Sequence, residues 1–217
     1  MKTKLLTTAM MVAFIMTAMT KVQAQNFEGP CLPQMHGMDG HQSALCGSTQ
    51  AIALESGVNW VSFYVEADLA TLKAALVDAT PNMAISIQSQ TQNANYNPSN
   101  QRWTGRLTSL DLAYMYKITV AEDCEIMLDG MRVNPSEHQL MIDGLTWIAY
   151  PFAEPMSVTD VFAGFAVNGD VLQSSTQNTK YNRGRWQGQL TTLEPGHGYM
   201  YKVAGEARPF TFPANAK

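Results

Sequence analysis

The chain has 217 residues, of which 46% are hydrophobic, 15% charged and 9% aromatic, so it carries enough apolar material for one large or two small cores and is not a disordered segment. Three of its bases (Lys2, Lys4 and Lys21) precede residue 25, which leaves 11 basic against 18 acidic residues beyond that point. A mildly acidic chain lacks the clustered Lys and Arg that supply most of the affinity for phosphate backbones, so nucleic acid is excluded as a partner.

Lys2 and Lys4 precede an apolar run from Leu5 to Met19, and Val22-Gln23-Ala24 then offers small residues where a signal peptidase reads. This predicts a secretory signal peptide over 1–24 and a mature chain from Gln25. The run is about 15 residues long where a membrane span needs about 20, and Thr7, Thr8 and Thr17 dilute it, so no membrane span is expected there or later. The expected location is secreted, extracellular or at the cell surface, with the periplasm as the alternative.

Residues 25–50 read as an N-terminal arm rich in Gly, Pro and His. In an oxidising compartment cysteines tend to pair, and Cys31 with Cys46 would staple this arm, leaving Cys124 as the odd one; three single pairs are open, and nearness in sequence favours the first. Within the arm, Met35, His36, Met38 and His41 beside Asp39 offer thioether and imidazole groups of the kind that hold Cu(I). The paired spacing of a structural zinc site is missing, so the segment is expected to be an exposed loop, and no metal or cofactor is expected.

Beyond the arm the sequence is written twice. Gln88-Ser89-Gln90-Thr91-Gln92-Asn93-Ala94-Asn95-Tyr96-Asn97 returns as Gln173-Ser174-Ser175-Thr176-Gln177-Asn178-Thr179-Lys180-Tyr181-Asn182. Arg102-Trp103-Thr104-Gly105-Arg106-Leu107 returns as Arg185-Trp186-Gln187-Gly188-Gln189-Leu190, and Tyr114-Met115-Tyr116-Lys117 as Tyr199-Met200-Tyr201-Lys202. Upstream, Gly57-Val58-Asn59-Trp60-Val61-Ser62-Phe63 pairs with Gly144-Leu145-Thr146-Trp147-Ile148-Ala149-Tyr150. Four blocks in one order mean duplication of a unit long enough to be a small domain.

Each unit opens on a β-branched and aromatic run introduced by Gly, the composition of a buried strand. A helix of two or three turns follows in each: Leu69, Leu72 and Leu76 share one face in the first copy, and Val158, Val161, Phe162 and Phe165 after a capping Ser157 in the second. Strands over 85–89 and 91–96, a polar turn, Trp-x-Gly-x-Leu and a Tyr-Met-Tyr-Lys strand complete the unit. Asp129-Gly130, between Glu125–Leu128 and Met131–Val133, signals a hairpin. The expected fold is mainly β (α+β): repeat modules over 51–120 and 139–217, each a small β-sandwich or barrel with one short helix, joined by a linking β-ribbon over 121–138 with a counterpart in Arg208–Phe212.

These motifs, Gly-x-x-Trp-Val/Ile-Ser/Ala-aromatic, Trp-x-Gly-x-Leu and Leu-Glu-Pro-Gly-x-Gly-Tyr-x-Tyr-Lys, resemble a tandem-repeat module of Bacteroidetes secreted and cell-surface proteins, usually written around GWNWIS and LxPGxGYMYK. The resemblance covers about positions 52 to 118 and 139 to 203, and implies an accessory, non-catalytic part of adhesins or exported hydrolases with no defined ligand. The first copy departs from it at Leu110-Asp111-Leu112-Ala113-Tyr114, where the turn Pro195-Gly196-His197-Gly198 of the second copy is missing.

For binding, Trp103 and Trp186 sit among polar residues beside turns, next to Tyr96, Tyr181, Arg102 and Arg185; an indole can stack on the apolar face of a sugar while amides and guanidinium groups satisfy its hydroxyls. The same tryptophans equally suit the core of a small β domain. Trp60 and Trp147, bracketed by Val, Ile and aromatic residues, read as core. For catalysis, His138 lies in a linker and His197 in a turn, Glu122 and Asp123 read as solvated, and no nucleophile elbow, metalloprotease helix, phosphate loop or dinucleotide fingerprint occurs, so no enzyme is expected. The chain reads as a secreted or cell-surface binding and adhesion protein whose partner is an extracellular glycan or a surface protein. The alternatives are a structural subunit assembled by strand pairing near Phe210, and an effector presenting the loop between Cys31 and Cys46.

Overall fold

The computed structural model describes residues 47–214. The signal peptide, the cysteine pair Cys31 and Cys46, and the candidate ligands Met35, His36, Met38 and His41 lie outside the described residues.

The first repeat comprises β1 (Gly47–Leu54), β2 (Gly57–Val61), α1 (Leu69–Ala79), β3 (Ile85–Gln88), β4 (Asn93–Asn97), β5 (Arg102–Gly105), β6 (Tyr116–Val120) and β7 (Cys124–Met131). The second comprises β8 (Gln139–Ile142), β9 (Leu145–Ile148), β10 (Met156–Ser157), α2 (Val158–Val161), β11 (Val171–Gln173), β12 (Asn178–Asn182), β13 (Arg185–Gly188), β14 (Thr192–Leu193), β15 (Tyr199–Lys202) and β16 (Arg208–Thr211). The two share one topology: an open antiparallel sheet in the order β2-β6-β3-β4-β5, matched by β9-β15-β11-β12-β13, and a two-stranded ribbon, β1-β7 matched by β8-β16. The class is mainly β.

Each core lies between sheet and ribbon. Burial alternates along β6 and β7, so Ile118 and Val120 meet Ile126 and Leu128 from the ribbon and Leu69, Leu72 and Leu76 from α1 in one cluster. Asp68 starts α1 by accepting from Thr71 N at 2.7 Å, and Thr80 ends it by returning both its N–H and its hydroxyl to Leu76 O. The Trp-x-Gly-x-Leu motif has a backbone reason. Asn93 O accepts from both Arg106 N and Leu107 N, and a Cβ on Gly105 would overlap that carbonyl; Asn178 O and Gly188 repeat the arrangement.

Several expectations differ from the structure. The arm does not extend to residue 50, because Gly47 already pairs with Met131 at the start of β1. The segment 121–138 is not simply a linking ribbon, since β7 is the partner of β1 and closes the first repeat. Asp129-Gly130 makes no hairpin: Thr49 donates to Asp129, and Gly130 lies under the Glu66 carbonyl, where a side chain would collide, so the glycine serves a close approach inside a continuous strand. The second helix is a single turn, capped at Phe162 and followed by a turn that holds Gly164 at φ +74°. Phe162 and Phe165, packed on Tyr201 and Phe210, fill the room that α1 fills with leucines.

The last correction is one of register. Tyr116 lies opposite Val61, and Tyr199 lies opposite the equivalent Ile148, so the identical Tyr-Met-Tyr-Lys tetrapeptides are two residues out of step in space. Met115 is therefore the counterpart of Gly198, and Ala113 of Gly196.

Candidate functional site

Tyr96 faces Trp103 across β4 and β5, with ring centroids 5.3 Å apart, and Tyr181 faces Trp186 across β12 and β13 at 5.2 Å. Both tryptophans are half-buried, one side of each against its own repeat's core; Trp186 touches Phe162 and Tyr201, and Lys73 Nζ stands 5.2 Å from the Trp103 ring. Arg102 and Arg185 are exposed beside them, opposite Asn97 and Asn182. Each group lies at the outer edge of its sheet, about 19 Å across four strand spacings from the edge strand that meets the other repeat. The structure does not bring the two groups together.

What it does bring together is the inner edge of each sheet, around a local two-fold relation. Ser62 N donates to Gly196 O at 2.9 Å, and the equivalent Ala149 N donates to Ala113 O at 3.0 Å. Near this axis Met115 packs on its own counterpart, Gly198, where a Cβ would fall 2.7 Å from Met115 Sδ. Lys117 Nζ lies between the rings of Trp60 and Trp147, at 4.9 and 4.5 Å. The Pro-Gly-x-Gly turn peculiar to the second copy is thus the half of the interface that must be thin where Met115 is thick.

The two-fold relation fails at one place. Gln90, in the β3–β4 turn, crosses to the second repeat, where its Oε1 accepts from Trp147 N at 3.0 Å and its Nε2 donates to Leu145 O at 2.9 Å. Its counterpart in the β11–β12 turn is Ser175, whose side chain is too short to repeat the contact on Val58 and Trp60. A cleft of about 840 Å³ lies here, between the outer edge of β2 and residues 174–177 and 189–199. Its walls are Val58, Asn59 and Trp60 on one side and Ser175, Thr176, Gln177 and Gln189 on the other, with Glu55, Glu194 and His197 along it. Trp60, expected in the core, is half-buried and faces this space, whereas Trp147, its counterpart behind Gln90, is 8% exposed.

The cleft combines an indole with hydroxyl and amide groups, two carboxylates and an imidazole. Tyr199 lines it with a phenol pushed up to about 12 by burial, its oxygen accepting from Glu194 N. Among the described residues no cluster of three or more His, Cys, Asp or Glu side chains could hold a metal, and no helix is long and apolar enough to cross a membrane. Comparison with family models, curated proteins and solved structures gives no match for this chain.

Reading the sequence by residue type overlooked Gln90 and Ser175. The signal was present: within the repeated block Gln88–Asn97 these two stand opposite each other as a long amide against a short hydroxyl.

Proposed function

We propose that the chain is an exported, non-catalytic binding protein that holds an extracellular glycan or a surface protein in the cleft between its two repeats. The observation that carries this is the broken symmetry: one inter-repeat groove is closed by Gln90, and the other is left open beside a half-buried tryptophan and a row of hydroxyl and amide side chains. Such a mix, one apolar platform with several polar groups, suits a site that binds by orientation rather than reaction. The cleft replaces Trp103 and Trp186 as the preferred site, since each of those rings already has one side committed to its own core.

The reading is tested with a panel of glycans and soluble surface proteins against the full chain, measured by direct binding and thermal shift. Thr176→Trp, which fills the cleft from an exposed turn, is expected to remove binding, and Trp103→Ala and Trp186→Ala to lower stability while leaving binding in place. Binding that survives Thr176→Trp and disappears in Trp103→Ala or Trp186→Ala would return the site to the outer strands.

A further inference from the structure

The outer edge of β2 and the residues after it can be followed amide by amide. Trp60 O accepts from Gly198 N and Ser62 N donates to Gly196 O, so the even-numbered residues here point away from β6 and toward the second repeat. One step on, Ser62 O accepts from Gln50 Nε2 at 3.0 Å and Tyr64 N donates to Gln50 Oε1 at 2.9 Å. Gln50 is fully buried. Gln90 makes the same contact on the second repeat, taking Leu145 O and Trp147 N. The chain therefore uses a glutamine carboxamide twice to satisfy a carbonyl at one residue and an N–H two residues later along a strand edge.

By the equivalence of the repeats, Val58 O and Trp60 N form a third such pair. They point into the cleft, and no hydrogen bond from the described residues of the second repeat reaches them. Every other outward amide from Trp60 O to Tyr64 N is engaged.

We infer that the cleft takes an extended polypeptide from another protein, which pairs with Val58 O and Trp60 N in line with residues 196–198. This rests on the cleft reading above and names the class of its ligand. A carboxamide presents its oxygen and an N–H side by side, and so does a residue in an extended strand, through its own N–H and C=O. The secondary amide of an N-acetyl sugar is trans and points the two groups in opposite directions, so it cannot bridge this pair. Adding a strand to an exposed edge gives affinity through the main chain, with side-chain selection left to the flanking pockets. Glu55 and Glu194 along the cleft favour a segment that is neutral or basic.

The test uses the full chain and a randomised library of blocked hexapeptides, with amide hydrogen exchange followed at Trp60 and Trp147. In the free protein the Trp60 amide is expected to exchange much faster than that of Trp147. Peptides selected on the chain slow it to the Trp147 rate, and Lys-rich members outbind Glu-rich ones. Ser175→Gln, which supplies the missing carboxamide from within, is expected to weaken those peptides at least tenfold. The inference is overturned if the Trp60 amide is already protected in the free chain, if no peptide is selected, or if Ser175→Gln binds unchanged. A glycan whose binding is lost in Thr176→Trp but kept in Ser175→Gln would reject the polypeptide and leave the cleft as the site; no ligand sensitive to Thr176→Trp would reject both.

Discussion

Gly198→Ala tests the two-fold packing directly. A Cβ at this position falls 2.7 Å from Met115 Sδ and 3.0 Å from its Cγ, closer still to its Cβ, whereas carbon atoms in contact prefer about 3.5–4.0 Å. The thioether end could rotate away, but Met115 Cβ is fixed by the backbone and the residue is fully buried, so the two repeats must separate slightly. Overpacking of this kind costs about 1–3 kcal/mol. Met115→Gly, which removes that Cβ together with the thioether, leaves a cavity and should cost at least as much as a Met→Ala change, about 2–5 kcal/mol. Because both changes act on one contact, the double variant should be less damaged than the sum, by about 1–3 kcal/mol. Urea unfolding of the four proteins supplies the cycle. Additivity within about 0.5 kcal/mol would refute the reasoning, since it would mean that the two side chains do not share a space.

Other outcomes follow from polar groups. Asp170 is fully buried and accepts from Tyr201 Oη, Arg208 Nη2, Ala204 N and Val167 N at 2.6–2.9 Å; Asp170→Asn strands the Arg208 charge and should cost about 3 kcal/mol in denaturant midpoint analysis. Gln90→Ala removes two inter-repeat hydrogen bonds and should accelerate exchange of the Trp147 amide while costing about 1–2 kcal/mol. At high pH, burial keeps Tyr199 protonated up to about 12 against an ordinary 10.0, and it also raises Tyr150 and Tyr201. The neutral phenol is favoured in the folded state, so this stability is complete below pH 10 and is lost as pH rises through 12. Tyr199 alone accounts for about 3 kcal/mol, so the stability read from urea unfolding should fall steeply in that range, and Tyr199→Phe should make the fall shallower by that amount.

The duplication and the strands were legible because burial on one face imposes an alternation that residue type records, as in Tyr116–Val120. The α1 face was legible for the same reason at helical spacing. The second helix was overestimated because Phe162 and Phe165 fit a helical face as well as they fit an aromatic cluster, and only packing against Tyr201 and Phe210 decides between them. Asp129-Gly130 misled because a glycine required for close approach of Glu66 looks the same as one required by a tight turn. The repeated tetrapeptide concealed a two-residue slip, which preserves the faces of a strand and so leaves no trace in the hydrophobic pattern. The candidate site was least legible of all. Trp103 and Trp186 stood out as large rings in polar surroundings, whereas the cleft depends on a contact that Ser175 does not make, and that is visible only when both repeats are placed side by side.

In each repeat the first strand closes on the last: Leu54 pairs with Cys124, and Ile142 with Arg208, roughly 70 residues downstream in both cases. Closing each ribbon therefore joins residues far apart in sequence, which slows folding, and two equivalent partners are available, β7 and β16. Exchange of β1 onto β16 is the misassembly that such tandem copies invite. Ladder length protects against it. The β1-β7 ribbon aligns eight residue pairs, β8 and β16 only four, and Pro209 in β16 has no N–H to give. A swapped β1 would forfeit about half of its ladder, so the unequal lengths of two otherwise matched ribbons act as a sorting code that returns each strand to its own repeat.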